Sequence, residues 1–127
     1  MHWIYQGQPV ENIDIKIYPA FVYVIKHNTQ GWKYLGKKNT IMKKRGKMRE
    51  SYWRNYWGSS KAFKDFVKQE GKENFTREII RLCRSKVEAT YYEAKYQMER
   101  DVLLKPDEYF NRLLKIYLNA NTLGALR

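Results

Sequence analysis

A chain of 127 residues with 43% hydrophobic side chains is sized for one domain with a modest core, and its single cysteine, Cys83, excludes an internal disulfide framework. No apolar run approaches the ~18 residues of a membrane span and no apolar signal region opens the chain, so the expected location is the cytoplasm, or the host cell cytoplasm if the chain is phage-encoded. The net charge of +12, from 25 Lys+Arg against 13 Asp+Glu, calls for a polyanionic partner, and an aromatic content of 16% ranks nucleic acid above an anionic membrane surface.

In chain order, residues 1–20 read as an N-terminal arm or edge strand, because I-D-I-K-I-Y over Ile13 to Tyr18 alternates apolar and polar side chains ahead of Pro19. Phe21 to Lys26 and Trp32 to Gly36 are rich in β-branched and aromatic residues around the polar H-N-T-Q-G, which predicts a hairpin with His27 as a solvated turn residue. An even-numbered connection, Asn28-Thr29 or His27 to Gln30, would make Tyr23 and Tyr34 direct cross-strand partners on one face; a one-residue slip would part them.

Residues 37–54 form a basic insertion carrying Lys37, Lys38, Lys43, Lys44, Arg45, Lys47, Arg49 and Arg54, with Glu50 the only acid. The expectation is a mobile loop ordered by its partner, followed by a short helix over Glu50 to Trp57. Trp53, Tyr56 and Trp57 are assigned first to the core, with stacking on a base the second role.

Ser59 or Ser60 caps a helix with Phe63, Phe66 and Val67 on one face and Gly71 as its stop. Phe75 to Cys83 reads as a strand, with Ile80 and Leu82 facing one way and Ile79 and Cys83 the other. Ser85-Lys86-Val87-Glu88 is a capping box that should open a long helix reaching Leu104, ahead of Pro106. The C-terminal tail, 112–127, adds an amphipathic stretch with Leu113, Leu114, Tyr117 and Leu118. The fold class is α/β of the α+β kind: one domain over 1–127, with a small three-stranded, mainly antiparallel sheet flanked by helices.

Phe21-Val22-Tyr23 followed by Tyr34-Leu35-Gly36 resembles the paired motifs of the GIY-YIG nuclease superfamily, with Phe21 in place of the first glycine. Gly71-Lys72-Glu73-Asn74-Phe75 and the strand after it look like those of phage-type homing endonucleases in that group. Glu93 within Y-Y-E-A-K-Y-Q matches the family's metal-binding glutamate, and Asn111 matches an asparagine that often follows that helix. Lys37 resembles a lysine found after Y-I-G in some members, and Arg54 and Arg49 rank above Arg45 for the family arginine, because Gly46 disfavours a helix around Arg45. The resemblance spans roughly Phe21 to Asn111.

It implies a metal-dependent DNA endonuclease. Tyr34 or Tyr23 would take a proton from water, with a phenolate favoured by Lys37, and the other tyrosine would orient water or phosphate. Glu93 would hold one Mg²⁺ or Mn²⁺, the arginine would relieve charge on the phosphate, and Asn111 would orient Glu93 or a phosphate oxygen. Lys38, Lys43, Lys44, Arg45 and Lys47 would contact the DNA backbone. With about sixteen residues after Asn111, no separate DNA-binding module is expected, so site choice falls to the insertion, the tail or a second subunit of a possible homodimer.

Competing classes are a non-catalytic nucleic-acid-binding protein on the same fold, and an inhibitor or host-takeover factor with an acidic protein partner. Zinc chemistry is disfavoured by having only His2, His27 and Cys83, and no G-x-x-x-x-G-K-[ST] phosphate loop is present. Cys83 is expected as a small core residue.

Overall fold

A computed structural model describes residues 1–112, 118, 120 and 123–126. Its centre is a five-stranded mixed sheet in the order β2-β1-β7-β3-β4. The strands are β1 (Trp3–Tyr5), β2 (Gln8–Val10), β3 (Ala20–His27), β4 (Lys33–Asn39) and β7 (Phe75–Cys83), and a separate two-stranded ribbon pairs β5 (Ile41–Lys44) with β6 (Lys47–Glu50). β3 reads as a continuous apolar run because both its faces are covered. Helix α1 (Lys61–Glu70) lies over one face, where Phe63 and Val67 join Trp3, Phe21, Tyr23, Ile25, Trp53 and Ile79. Helix α2 (Lys86–Glu99) covers the other, where Ala89 joins Val22, Leu35 and Cys83.

The three-stranded expectation is corrected to five. The two extra strands precede Ile13: Gln6 and Gly7 both take positive φ, 50° and 80°, which makes the two-residue turn joining β1 to β2. β1 then runs parallel to β7, with Ile4 opposite Glu78. The segment expected as a strand, Ile13 to Tyr18, is a turn instead. The Asp14 carbonyl accepts from the Ile17 and Tyr18 amides and its carboxylate accepts from the Lys16 amide, so local hydrogen bonds replace a ladder.

The basic insertion is likewise ordered rather than a loop. Arg45 and Gly46, with φ of 52° and 76°, form the two-residue turn of the β5–β6 ribbon. Buried Thr40 and Ser51 close the base of the ribbon, the Ser51 amide donating to the Thr40 carbonyl and the Ser51 hydroxyl to the Asn39 carbonyl. Of the helix expected over Glu50 to Trp57, only one 3₁₀ turn forms, Trp53–Asn55. Trp53 is fully buried there and its carbonyl accepts from the Trp3 indole at 2.8 Å, so core contacts rather than helical hydrogen bonds fix the segment.

Both helix caps fall where the sequence puts them. The Ser60 hydroxyl accepts from the Phe63 amide, and the Ser85 hydroxyl accepts from the Glu88 amide. Glu88, however, reaches the Arg84 amide and Arg81 rather than the Ser85 amide. α2 stops at Glu99, short of Leu104, because Asp101 enters the left-handed region at φ 52° and Val102–Leu104 tightens to a 3₁₀ turn. In β7 the register against β3 slips between Val22 and Tyr23, so that Val22 pairs with Arg81 and Tyr23 with Ile79. This bulge at Ile80 reverses the parity read from the sequence: Ile79 and Leu82 share the α1 face, and Ile80 and Cys83 share the α2 face. Cys83 is a fully buried core residue, and burial pushes its thiol up to about 12. Leu113, Leu114 and Tyr117 of the tail lie outside the described residues.

Candidate active site

β3 and β4 pair antiparallel with Tyr23 opposite Gly36 and Ile25 opposite Tyr34. The two phenols therefore share a face but meet diagonally, their rings stacked at 6.3 Å and 29°, which corrects the expected direct pairing by two residues. Buried His27 sets this register. Its Nδ1 accepts from the Thr29 and Gln30 amides, its own amide donates to the Trp32 carbonyl, and Glu70 lies 3.2 Å from Nε2. It closes a four-residue loop, Asn28 to Gly31, and is not a solvated tip. The stagger also explains the glycine of Tyr-Leu-Gly: a Cβ on Gly36 would lie 2.5 Å from Tyr23 Oη and 2.8 Å from its Cζ.

The bulge at Ile80 sits directly against Tyr23, the position at which a re-aimed side chain matters most. Around the pair, the Tyr56 ring stands edge-on to Tyr23 at 5.9 Å, and the Tyr34 hydroxyl exchanges a 3.0 Å hydrogen bond with Ser59 Oγ. A Cβ on Gly58, whose φ is 99°, would lie 3.5 Å from the Tyr34 ring and 3.6 Å from Tyr23 Oη. The sequence marks Tyr56 for the core or for stacking on a base and not for a place beside the tyrosine pair, and Gly58 and Ser59, a glycine beside serines ahead of a helix, are an ordinary turn and cap by composition.

Tyr23 is 0% exposed, and among the described residues its hydroxyl meets no partner in full hydrogen-bonding geometry, with Tyr56 a polar neighbour. Burial, then the neighbouring Tyr56, Tyr34 and Glu93, raise its pKa well above the usual phenol value. Tyr34 is only partly buried; burial raises its pKa, with smaller contributions from Tyr56 and Glu93, while the Ser59 bond works against the rise. The expected bias toward phenolate from Lys37 is absent from both. Lys37 Nζ instead donates to Thr90 Oγ1 at 2.6 Å, on the α2 side of the sheet.

Glu93 sits at the outer edge of β4, hydrogen-bonded to the Lys37 main chain. The outward main-chain groups of that strand are covered in turn: Lys33 by the backbone of Glu108 and Phe110, Leu35 by Asn111 and Gln97, and Lys37 by Glu93. Burial raises the Glu93 pKa, while the Lys37 charge and main-chain N–H pull it down. The carboxyl is close enough to both phenols to add to their rise. Asn111 spends its carboxamide on Leu35, accepting from the amide at 3.0 Å and donating to the carbonyl at 2.7 Å. It positions the strand between Tyr34 and Gly36 rather than orienting Glu93.

Neither favoured arginine joins this group. Arg54 stacks on Trp53 and is bound by Glu50 at 2.5 Å, Asn12 Oδ1 at 2.8 Å and the Glu11 carbonyl at 3.1 Å. Arg49 is exposed on β6, where it lines a hollow with Lys44 and Tyr52. The missing helix is the reason, since the segment meant to carry them became a strand and a 3₁₀ turn. Lys38 is a cation on the same face of β4 as Tyr34 and Gly36, with Nζ 4.6 Å above the Tyr56 ring. An open cleft continues from it, lined by Lys38, Tyr56, Gly58, Lys64, Lys68 and Lys72. Lys43, Lys44, Arg45 and Lys47 stand exposed on the ribbon.

Among the described residues no group of three or more His, Cys, Asp or Glu side chains gathers to hold a metal. Glu93, a half-buried carboxyl whose lost hydration a cation would replace, could hold a hard ion only with water and a phosphate as further ligands. That fits Mg²⁺ or Mn²⁺, which keep several waters. Among the described residues no helix is long and apolar enough to cross a membrane.

A family model described as "Putative endonuclease segE, GIY-YIG domain" matches residues 3–121. No curated protein and no solved structure matches the chain.

Proposed function

Since the chain belongs to this GIY-YIG endonuclease domain family, with DNA as the substrate that membership implies, we propose that it is a metal-dependent DNA endonuclease, phage-encoded and homing-like, acting in the host cell cytoplasm. The observation that supports this best is the convergence of Tyr23, Tyr34 and Glu93 around one edge strand, with electrostatic contact among all three.

Phosphodiester hydrolysis forms a bond from water oxygen to phosphorus and breaks the bond to the 3′ oxygen. The water must lose a proton and the 3′ oxygen must gain one. Tyr34, partly exposed and aimed by Ser59, is the phenol able to touch that water. Because its pKa is raised, it is a neutral phenol near pH 7, and the rate follows its small phenolate fraction. Tyr23 stays protonated and holds the floor of the site through its contact with Gly36. Lys38, on the phenol face, carries the charge relief first assigned to an arginine, while Lys37 acts on Glu93 from the α2 side. Glu93 would hold Mg²⁺ or Mn²⁺, which supplies Lewis-acid stabilisation of the phosphate and the departing oxygen. Lys38, Lys43, Lys44, Arg45 and Lys47 would contact the DNA, and a homodimer would present two sites to a duplex.

Nicking of supercoiled plasmid with Mg²⁺ or Mn²⁺ tests the reading. The native chain should nick and Glu93→Gln, which keeps an acceptor for the Lys37 amide, should not. Sedimentation of the chain alone and with duplex tests the dimer. A non-catalytic DNA-binding protein is the second reading, favoured by one observation: neither Arg49 nor Arg54 reaches the tyrosines. DNA binding without nicking by either protein would establish it.

A further inference from the structure

The β5–β6 ribbon is a sheet of its own, joined by no ladder to the main one. A lone two-stranded hairpin is marginal in water, and this one is built against itself. Lys44 lies directly across from Lys47, the next pair on that face is Met42 with Arg49, and the turn between the strands bears Arg45. Like charges directly opposite one another on a sheet destabilise it. No acid on the ribbon offsets them except Glu50 at its base, which is already bound to Arg54 and the Trp53 indole. Lysines at strand edges do guard against edge-to-edge association, but that purpose needs only one or two. Here every residue from Lys43 to Glu50 is exposed, and Tyr52, 75% exposed, flanks the Met42, Lys44 and Arg49 face.

We propose that the β5–β6 ribbon enters the major groove of a DNA duplex, with Met42, Lys44, Lys47 and Arg49 on base edges and Lys43 and Arg45 on the flanking phosphates. Dimensions select the groove. Two strands about 4.8 Å apart, with their side chains, fill a major groove about 12 Å wide and exceed a minor groove of about 6 Å. The chemistry of the face agrees: arginine and lysine bond guanine O6 and N7, and an apolar side chain such as methionine meets the thymine methyl. Substrate choice then belongs to the ribbon and bond cleavage to the tyrosine edge. Thr40 and Ser51 tie the two together at the ribbon's base.

This inference rests on the DNA endonuclease reading, and the experiment separates the two. The native chain is bound to a duplex library with divalent metal withheld, and selected duplexes are probed for guanine N7 protection against dimethyl sulfate. The expected result is a short run of protected guanines, lost in Lys44→Gln/Lys47→Gln/Arg49→Gln. That variant should bind at least tenfold more weakly to the selected duplexes, while the log–log salt slope, set by Lys43, Arg45 and the other phosphate contacts, changes by less than about 1. A control carrying Lys16→Gln, Lys26→Gln and Lys105→Gln, exposed residues off the ribbon, should keep the protection. Circular dichroism melting checks that the ribbon variant is folded. Phosphate contacts without N7 protection, or equal affinity of the two triple variants, would overturn the ribbon's role while metal-dependent nicking left the endonuclease reading intact. Absence of both nicking and DNA binding in the native chain would overturn both.

Discussion

Two neighbouring stretches, Lys33–Asn39 and Ile41–Glu50, are both β-structure and both basic, yet they answer to opposite physics. β4 is paired on one side with β3 and covered on its other edge by Glu93, Asn111 and main-chain groups, so each side chain has one permitted place. The ribbon's place is set by its two-residue turn and by Thr40 and Ser51 at its base, and its side chains from Lys43 to Arg49 are exposed. The lesson is that precision in this molecule is confined to the edge strand, where chemistry needs it, whereas the ribbon trades packing for charge.

The sharpest way to break that contrast is to remove a hydroxyl from the edge-strand site. Tyr34→Phe should lower plasmid nicking by about 10²–10⁴-fold while leaving the thermal midpoint within a degree or two, because only the Ser59 bond is lost from a partly exposed position. Next in size is Gly36→Ala. Its methyl would overlap the buried Tyr23 ring, so denaturant unfolding should show a loss of about 1–3 kcal/mol, and Tyr23→Phe should not rescue it because Cζ clashes too.

The pH profile comes third. With the Tyr34 pKa raised, nicking should climb up to about tenfold per unit between pH 7 and 9, and a plateau below pH 8 would remove Tyr34 from the base role. Glu93 gives a stability effect of known sign. Its folded pKa lies above the unfolded value, so the contribution is fully present at low pH and is lost as pH rises through the folded pKa. Glu93→Gln should therefore melt at or slightly above the native chain at neutral pH, by roughly 1–4 °C, although it cannot nick. The smallest expected effect is on the ribbon: Lys44→Gln with Lys47→Gln should shift stability by no more than about 0.5 kcal/mol, upward if at all, since a repulsive pair is relieved.

Much of the site could be read directly from the residues. Tyr23 and Tyr34 share a face because a two-residue register change preserves parity, so the wrong loop still gave the right side. Glu93 is singled out only by its resemblance to the family motif, and its place at the β4 edge depends on where α2 packs. Arg49, Arg54 and Asn111 were assigned by spacing along an assumed helix and by order, and the contacts that hold them come from residues far away in sequence, Asn12 and Leu35 among them. Tyr56 and Gly58 join the phenols through the bend that follows Trp53 into the core, whereas Lys38 shares their face by its place on β4.

What the sequence determined by itself is the local chemistry: the serine caps, the apolar run of β3, the glycine stop after α1, the excess of cations between 37 and 54, and the motif that marks the family. Each depends on groups within a few residues of one another, whose preferences are set by short-range sterics and hydrogen bonding. Tertiary structure decided the sheet order, the bulge that turns Ile80, the burial of His27 and the approach of Tyr56 and Gly58 to the phenols. Those follow from pairing between segments separated by tens of residues, where close packing and the need to satisfy every edge amide choose among arrangements that local preference leaves equal.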